Sequence, residues 1–231
     1  MIAVAQQRAI VTGTSSGIGQ AIAHRLLADG WQVIGFDLAP AHIVHEDFLP
    51  VRVDLCDGAA TEAATRAAGL ADALVHAAGV LRVGALGALA SQDGNLMWRL
   101  HVDALTRMAD IAVPAMAQAG RGRVVMVGSR VSRGMPGRSQ YAACKAALVA
   151  LARSWAAEVV ARGVTVNVVS PAATATAMLD DPARRSAAPK LPPLDRLIEP
   201  REIAALVAYL LSPDAAAITG QDIQICGGAS L

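Results

Sequence analysis

Short apolar runs alternate with longer segments of helical spacing along the whole chain. The apolar runs predict strands near 8–12, 32–36, 50–54, 72–76, 123–128, 164–169 and 222–226. The longer segments predict helices near 17–29, 58–68, 93–119, 140–162 and 200–211. Because strands and helices alternate, we expect one α/β domain over residues 1–231, with a doubly wound parallel seven-stranded sheet, helices on both faces and right-handed crossovers.

This topology also predicts where a ligand should bind. In an open parallel sheet, ligands bind at the carboxyl ends of the strands. One crossover should be abridged, because Pro40 and Pro50 bracket the connection between Asp37 and Val51 and leave little room for a helix.

A glycine-rich turn joins the first strand to the first helix. Gly13, Gly17 and Gly19 let the backbone bend sharply and approach a ligand closely. The helix N-terminus then offers free N–H groups to a pyrophosphate. The predicted cofactor contacts in this turn are Gly13, Ser15, Ser16, Gly17, Ile18 and Gly19. The alternative is an ordinary strand–helix turn with no ligand. The second strand, which follows at the spacing of a βαβ unit, argues against that alternative.

Asp37 stands directly after the second strand. A carboxylate there can accept hydrogen bonds from the adenosine ribose hydroxyls and would repel a 2′-phosphate. No Arg or Lys occupies residues 14–16 or 38, where a 2′-phosphate would need a cation. The sequence therefore favours NAD over NADP, the alternative being an Asp that only caps a turn.

Tyr141 and Lys145 stand four residues apart in the predicted helix 140–162. Residues at this spacing share one helix face, so the ammonium should favour the phenolate and lower the Tyr pKa from about 10. Such a Tyr can exchange a proton with an alcohol or ketone oxygen near neutral pH. Taken alone, the pair could also be a surface Tyr and Lys on an amphipathic helix.

Several motifs, in the same order, resemble the NAD-binding subtype of the short-chain dehydrogenase/reductase family. The turn at 12–19 resembles its T-G-x-x-x-G-I-G, residues 76–79 its N-A-A-G, and Tyr141 with Lys145 its Y-x-x-x-K. Further similar segments are 53–55, 128–129, 170–176 (with Ala172 where the family has Gly), 219–221 and 227–228. The resemblance implies a Rossmann-like fold and an NAD(H)-dependent oxidoreductase that interconverts a secondary alcohol, or a cyclic diol, and a ketone.

The resemblance also implies a role for each matched residue. Ser129 would hydrogen-bond the substrate oxygen, with a simple turn cap as the alternative. Tyr141 would be the general acid in reduction and the base in oxidation, and Lys145 would bind the nicotinamide ribose. The implied cofactor contacts outside the glycine turn are Asp37, Asp54, Leu55, His76, Ala77, Ala78, Gly79, Tyr141, Lys145, Pro171, Thr174 and Thr176. No metal site is predicted.

Two His residues stand where the family has Asn. One is His76; the other is His101, reached by counting back from Pro114. The family's Asn at the second position holds a water that relays protons to the active-site Lys. An imidazole can donate and accept hydrogen bonds, and it titrates near pH 6.5. We therefore hypothesise that His101 replaces this Asn and that its titration contributes to the pH–rate profile. A His that only packs is the alternative.

Composition narrows the class of protein. The 231 residues carry a formal net charge of +1, with no basic stripe for nucleic acid and no apolar window that could span a bilayer. We therefore expect neither a nucleic-acid nor a membrane partner. Cys56, Cys144 and Cys226 are widely spaced, and residues 1–7 are too short for a signal peptide. A cytoplasmic protein with reduced thiols is the expectation.

Residues 172–199 are predicted to form a lid over the substrate. The run containing Pro182, Pro189, Pro192 and Pro193 shows no helical period. The apolar residues in this lid include Met178, Leu179, Leu191 and Leu194. They predict a small, partly apolar alcohol or carbonyl substrate.

The sequence leaves open two more specific substrate classes and one non-catalytic function. The abridged crossover and segment 77–84 resemble 2,3-dihydro-2,3-dihydroxybenzoate dehydrogenases, in which Arg82 and Arg138 could meet a carboxylate. An NADPH-dependent 3-oxoacyl or carbonyl reductase is disfavoured by Asp37. A catalytically impaired dinucleotide-binding scaffold or sensor is suggested by the two His-for-Asn changes and opposed by Ser129, Tyr141 and Lys145.

The predicted helices 93–119 and 140–162 are those through which the family usually assembles. Helix 140–162 is apolar on most of its surface, which favours burial against the sheet on one side and a partner on the other. We expect a homotetramer, with a homodimer as the alternative.

Overall fold

The computed structural model describes residues 6–180 and 191–231, and within them it contains a seven-stranded parallel sheet with helices on both faces. The strands are β1 (Arg8–Thr12), β2 (Gln32–Asp37), β3 (Phe48–Arg52), β4 (Ala73–His76), β5 (Gly122–Val127), β6 (Val164–Pro171) and β7 (Asp222–Ile225). The α-helices are α1 (Gly17–Ala28), α2 (Gly58–Ala68), α3 (Ser91–Trp98), α4 (Ala104–Gln118), α5 (Ser139–Val159) and α6 (Pro200–Leu211).

The strand order is β3-β2-β1-β4-β5-β6-β7, so the direction of winding reverses between β1 and β4. Such a reversal opens a crevice at the carboxyl ends of the two strands. The predicted fold class is confirmed, and the crevice falls where the glycine-rich turn leaves β1.

Alternation of side chains along the strands builds the core on two sides of the sheet. Ile10 of β1 and Leu74 of β4 pack with residues of α4 and α5 on one side. Ala9 and Val11 pack with α1 and α6 on the other. Because both faces are covered, the central strands are mostly apolar on both sides, which explains the strength of their signal in the sequence.

The structure differs from the predicted elements at two places. The predicted helix 93–119 is divided into α3 and α4 by a π-helical segment, Arg99–Asp103, which we call the π-turn. The third strand lies at Phe48–Arg52 rather than near 50–54. It is an edge strand, where Pro50 is tolerated, so its apolar signal is weak.

The abridged crossover is confirmed, since no helix lies between β2 and β3. The predicted lid contains a short 3₁₀ helix, Ala177–Asp180. Pro182 and Pro189 lie outside the described residues. Within the described ranges, no helix combines the length and apolar content that a bilayer crossing requires.

Candidate active site

A cavity of about 1110 Å³ opens at the carboxyl ends of the strands and gathers most of the predicted site. The predicted residues that line it are Gly13, Ser16, Gly17, Ile18, Gly19, Asp37, Asp54, Leu55, Ala77, Ala78, Gly79, His101, Ser129, Tyr141, Lys145, Pro171, Thr174 and Thr176. Ser15 and His76 do not line the cavity; each lies behind the wall and supports it.

The glycine turn is shaped as a cradle for a ligand. Gly13 and Gly17 have φ angles of +76° and +55°, in the left-handed region that favours glycine. A Cβ on Gly19 would lie 2.2 Å from the carbonyl oxygen of Gly13, so the turn closes only without a side chain. The Ser16 side chain does not cap α1, which leaves the first amides of that helix for an anionic ligand. This donor set fits a dinucleotide pyrophosphate.

Asp37 is held rigidly at one end of the cavity. Its two carboxylate oxygens accept hydrogen bonds from the backbone N–H groups of Ser15 and Ala39, both at 2.9 Å. The Ser15 hydroxyl donates to the Ala39 carbonyl at 3.2 Å. Asp37 therefore braces the turn and also faces the cavity with a fixed negative charge.

Arg99 was not found by sequence reasoning. It lines the cavity beside Cys56 and donates to the Cys56 carbonyl. Asp54 braces the same corner by accepting from the Cys56 N–H at 2.8 Å. The contact joins segments 43 residues apart, and no local motif signals it.

Ser129 lies two residues after the end of β5 and is the N-cap of a 3₁₀ helix, Arg130–Arg133. Its hydroxyl oxygen accepts a hydrogen bond from the Val131 N–H at 3.2 Å. Because the oxygen already accepts, the hydroxyl proton can donate into the cavity. Ser129 thus caps a turn and also lines the cavity.

Tyr141 and Lys145 lie on one face of α5, and both are buried. The Lys145 Nζ lies 5.7 Å from the centre of the Tyr141 ring and donates to the Val127 carbonyl at 2.7 Å. Burial lowers the pKa of Lys145 to about 7. The expected lowering of the Tyr141 pKa stays a prediction.

His101 lies in the π-turn and lines the cavity next to Tyr141. Its ring meets the Tyr141 ring edge to face, with centroids 5.6 Å apart. Burial, and then the nearby Lys145 ammonium, hold the His101 pKa well below 6.5. The expected titration near pH 6.5 is therefore wrong, because the imidazole stays neutral in the folded protein.

The predicted lid contributes only part of its apolar residues to the cavity. Met178 and Leu179 line it, whereas Leu191 and Leu194 are about half exposed and do not. Arg138 lines the cavity beside Tyr141, but Arg82 does not, and its Nε lies 4.0 Å from Asp93 Oδ1. The two arginines therefore do not converge on one ligand group.

Comparison with known protein sequences identifies the class. A family model described as "Enoyl-(Acyl carrier protein) reductase" matches residues 13–230. A 3-oxoacyl-[acyl-carrier-protein] reductase of Vibrio harveyi is 35% identical over 234 residues, which cover 95% of this chain and 96% of that protein.

Solved structures agree with this result. A 3-ketoacyl-(acyl-carrier-protein) reductase from Brucella melitensis, complexed with NADH, matches with a TM-score of 0.88 at 26% identity, covering 97% of this chain and 98% of that one. An actinorhodin polyketide ketoreductase with NADPH matches with a TM-score of 0.87 at 26% identity, covering 97% of both chains. The more specific similarity to dihydrodihydroxybenzoate dehydrogenases is not shown by these comparisons. The chain belongs to the short-chain dehydrogenase/reductase family of oxidoreductases.

Proposed function

We propose that the chain is an NADH-dependent ketoreductase, which also oxidises the corresponding secondary alcohols in reverse. The observation that carries this proposal is the single cavity that joins the glycine turn to Ser129, Tyr141 and Lys145. A bound nicotinamide dinucleotide would supply the hydride. Gly13, Gly17, Gly19 and Asp37 would hold that cofactor.

The side chains of the cavity support a proton transfer to the substrate oxygen. Ser129, whose oxygen accepts from Val131, has its proton available to donate to a carbonyl oxygen. Tyr141 would then give its phenolic proton to the same oxygen as the alcohol forms. Lys145 makes one of its three hydrogen bonds to Val127, so two remain for the ribose and for the Tyr141 oxygen.

His101 is proposed to continue this proton path. Its Nε2 lies 2.8 Å from the Val80 carbonyl and 3.3 Å from the Val80 N–H. The shorter contact favours an Nε2–H that donates to the carbonyl, so Nδ1 is an acceptor. This buried Nδ1 has no hydrogen-bond partner among the described residues. A water shared with Lys145 would satisfy it and would replace the water that the family holds with Asn.

A ketone carried on an acyl thioester is the substrate class that we propose first. The cavity wall around Tyr141 is apolar, formed by Val80, Leu81, Val131 and Met135. Such a wall suits an acyl chain, and the Vibrio harveyi relative is named as a 3-oxoacyl reductase. The sequence argument against this class relied on the cofactor, yet the Brucella melitensis structure of such an enzyme holds NADH.

Asp37 supports NADH as the preferred cofactor, because its fixed carboxylate would repel a 2′-phosphate. NADPH is the second candidate cofactor, and the position of the Arg52 cation next to Asp37 favours it. Arg52 is paired in register with Asp37 across β2 and β3, and its Nε donates to the Leu38 carbonyl at 3.1 Å. No salt bridge joins it to Asp37 within the described chain.

Replacing Asp37 by Asn should therefore change cofactor selection. In the unchanged protein, we expect NADH to bind at least about tenfold more tightly than NADPH. In Asp37→Asn, NADPH should bind about tenfold more tightly than before, because the repulsion is gone and Arg52 remains. Dissociation constants from the quenching of protein fluorescence would measure both.

Asp47→Asn is the matched control, since Asp47 carries the same formal charge and its half-buried side chain does not line the cavity. Tighter binding of NADPH than NADH by the unchanged protein would contradict the NADH proposal. It would make the chain an NADPH-dependent reductase.

The chain is proposed to assemble as a homotetramer, with a homodimer as the second possibility. On α5, half-buried Ala147, Leu151 and Trp155 recur every four residues, and Ala143 and Ala150 beside them are exposed. A stripe of this kind suits packing against a second copy. Light scattering after gel filtration should give four subunits at micromolar concentration; a monomer would contradict the proposal.

We also propose a cytoplasmic location, on the evidence of the cysteines. Cys56, Cys144 and Cys226 are free thiols. Free thiols are usual in a reducing compartment.

A further inference from the structure

The π-turn leaves one backbone carbonyl without its usual partner. In an α-helix, the Ala104 N–H would donate to the Leu100 carbonyl. Here the Ala104 N–H donates to the Arg99 carbonyl instead. The Leu100 carbonyl, one residue before His101, therefore lacks its α-helical donor.

His76 supplies a donor to this carbonyl. Its Nε2 lies 3.1 Å from the Leu100 oxygen, and its Nδ1 lies 3.1 Å from the Thr12 hydroxyl. The Thr12 oxygen accepts from the N–H groups of Ala77 and Ala78, at 3.0 and 2.9 Å. Its hydroxyl proton is therefore directed to His76 Nδ1, which places the imidazole proton on Nε2, facing Leu100.

The position of His101 depends on the same turn. The ring is 1% exposed, and a Cβ on Gly79 would lie 2.4 Å from its Cε1, so only glycine leaves room for it. On one side the ring reaches Val80, and on another it meets Tyr141. Burial, and then the nearby Lys145 ammonium, lower the pKa of both imidazoles, that of His76 to about 3. Both rings are therefore neutral.

We propose that His76 is a positioning residue, and that it acts on the reaction through His101. The hydrogen bond from His76 to the Leu100 carbonyl stabilises the π-turn, and the π-turn presents His101 to Tyr141 and Lys145. The two His-for-Asn replacements are then one coupled change rather than two independent ones. This inference rests on the proposed function for its kinetic consequence, but not for its structural one.

The structural consequence is tested on the cofactor-free protein by ¹⁵N NMR of the histidine rings. Both His76 and His101 should carry the proton on Nε2. In His76→Leu, the His101 ring signals should shift and the Ala104 amide should exchange at least about tenfold faster. His76→Asn, whose amide can donate to Leu100, should retain more of the original signals. The matched control is His42→Leu, because His42 is exposed. Unchanged His101 signals in His76→Leu would overturn the proposal.

The kinetic consequence is tested by a double-mutant cycle with a 3-oxoacyl thioester and NADH. His76→Leu should lower kcat about tenfold, with KM and the dinucleotide dissociation constant changed less than about twofold. In a His101→Asn background the same change should add little, since the two residues act together. His76→Asn should recover part of the lost kcat.

These experiments separate a failure of the coupling between His76 and His101 from a failure of the proposed function. Losses that multiply in the double variant, or a kcat loss that follows a loss of dinucleotide binding, would overturn the coupling of His76 to His101. An unchanged protein that binds dinucleotide without turning over any ketone would instead overturn the proposed function. In that case the NMR measurement still decides whether His76 positions His101.

Discussion

Replacing Tyr141 by Phe should lower kcat by about a thousandfold or more, because it removes only the phenolic oxygen that exchanges the proton. The ring itself should stay in place. It is buried in a cluster with Leu81 and Val131 and meets His101 edge to face. The dinucleotide dissociation constant should therefore change less than about twofold. Turnover at 340 nm and fluorescence quenching would measure the two quantities.

Tyr209→Phe is the matched control for this experiment. Tyr209 is the other Tyr of the chain, and it is about half exposed on α6, outside the cavity. Its replacement should leave both quantities unchanged. If Tyr141→Phe also left turnover unchanged, the proton would come from another group. If the unchanged protein itself showed no turnover, the scaffold interpretation would replace catalysis.

Gly19→Ala should abolish dinucleotide binding, with at least about a hundredfold increase in the dissociation constant. The new Cβ would lie 2.2 Å from the Gly13 carbonyl oxygen and 2.8 Å from that of Thr12. Both are backbone atoms of the turn, so the turn must open to admit the methyl group. Overpacking of this kind costs about 1–3 kcal/mol of folding stability, and the displaced turn no longer matches a pyrophosphate.

Gly58→Ala is the control for the added methyl group. Gly58 begins α2, and a Cβ there would meet the guanidinium of Arg107, the far end of a flexible side chain. That side chain can move, so binding should be unchanged and stability nearly so. Normal dinucleotide binding by Gly19→Ala, measured by titration calorimetry, would show that the turn is not the pyrophosphate site.

The sequence predicted the fold well because the central strands are buried on both faces. Continuous apolar runs such as 9–11 of β1 and 124–127 of β5 are typical of strands that helices cover on both sides of a sheet. The edge strand β3 has no such cover, and its predicted bounds were two residues late. Glycines and the Tyr–Lys pair were found because the chemistry at those positions requires particular residue types at fixed spacing.

The sequence could not show the burial and the neighbours of each side chain in the folded protein. The residue type of His101 suggested titration near pH 6.5, but complete burial beside Lys145 keeps the ring neutral. The π-turn was missed because one extra residue in a helical turn barely changes the apolar periodicity. Arg52 was missed because its neighbour Asp37 is fifteen positions away in the chain and adjacent only through strand register.

The sequence pattern also did not show where Ser15 and His76 lie relative to the cavity. Both belong to motifs that resemble cofactor-contacting segments, yet neither lines the cavity. Ser15 directs its N–H to Asp37, and His76 joins Thr12 to Leu100. A motif shows which residues belong to a site, whereas only the structure shows which of them face the ligand and which support the wall.

The protein is proposed to catalyse hydride transfer from NADH to a ketone, and an isotope-transfer experiment tests this most directly. The protein would be incubated with a 3-oxoacyl thioester and NADH deuterated at the transferred position of C4, and the product analysed by mass spectrometry. Our account predicts a 3-hydroxy product that carries one deuterium on the carbinol carbon, and its absence with Tyr141→Phe. Binding of NADH without deuterium transfer to this ketone or to other ketones would contradict it.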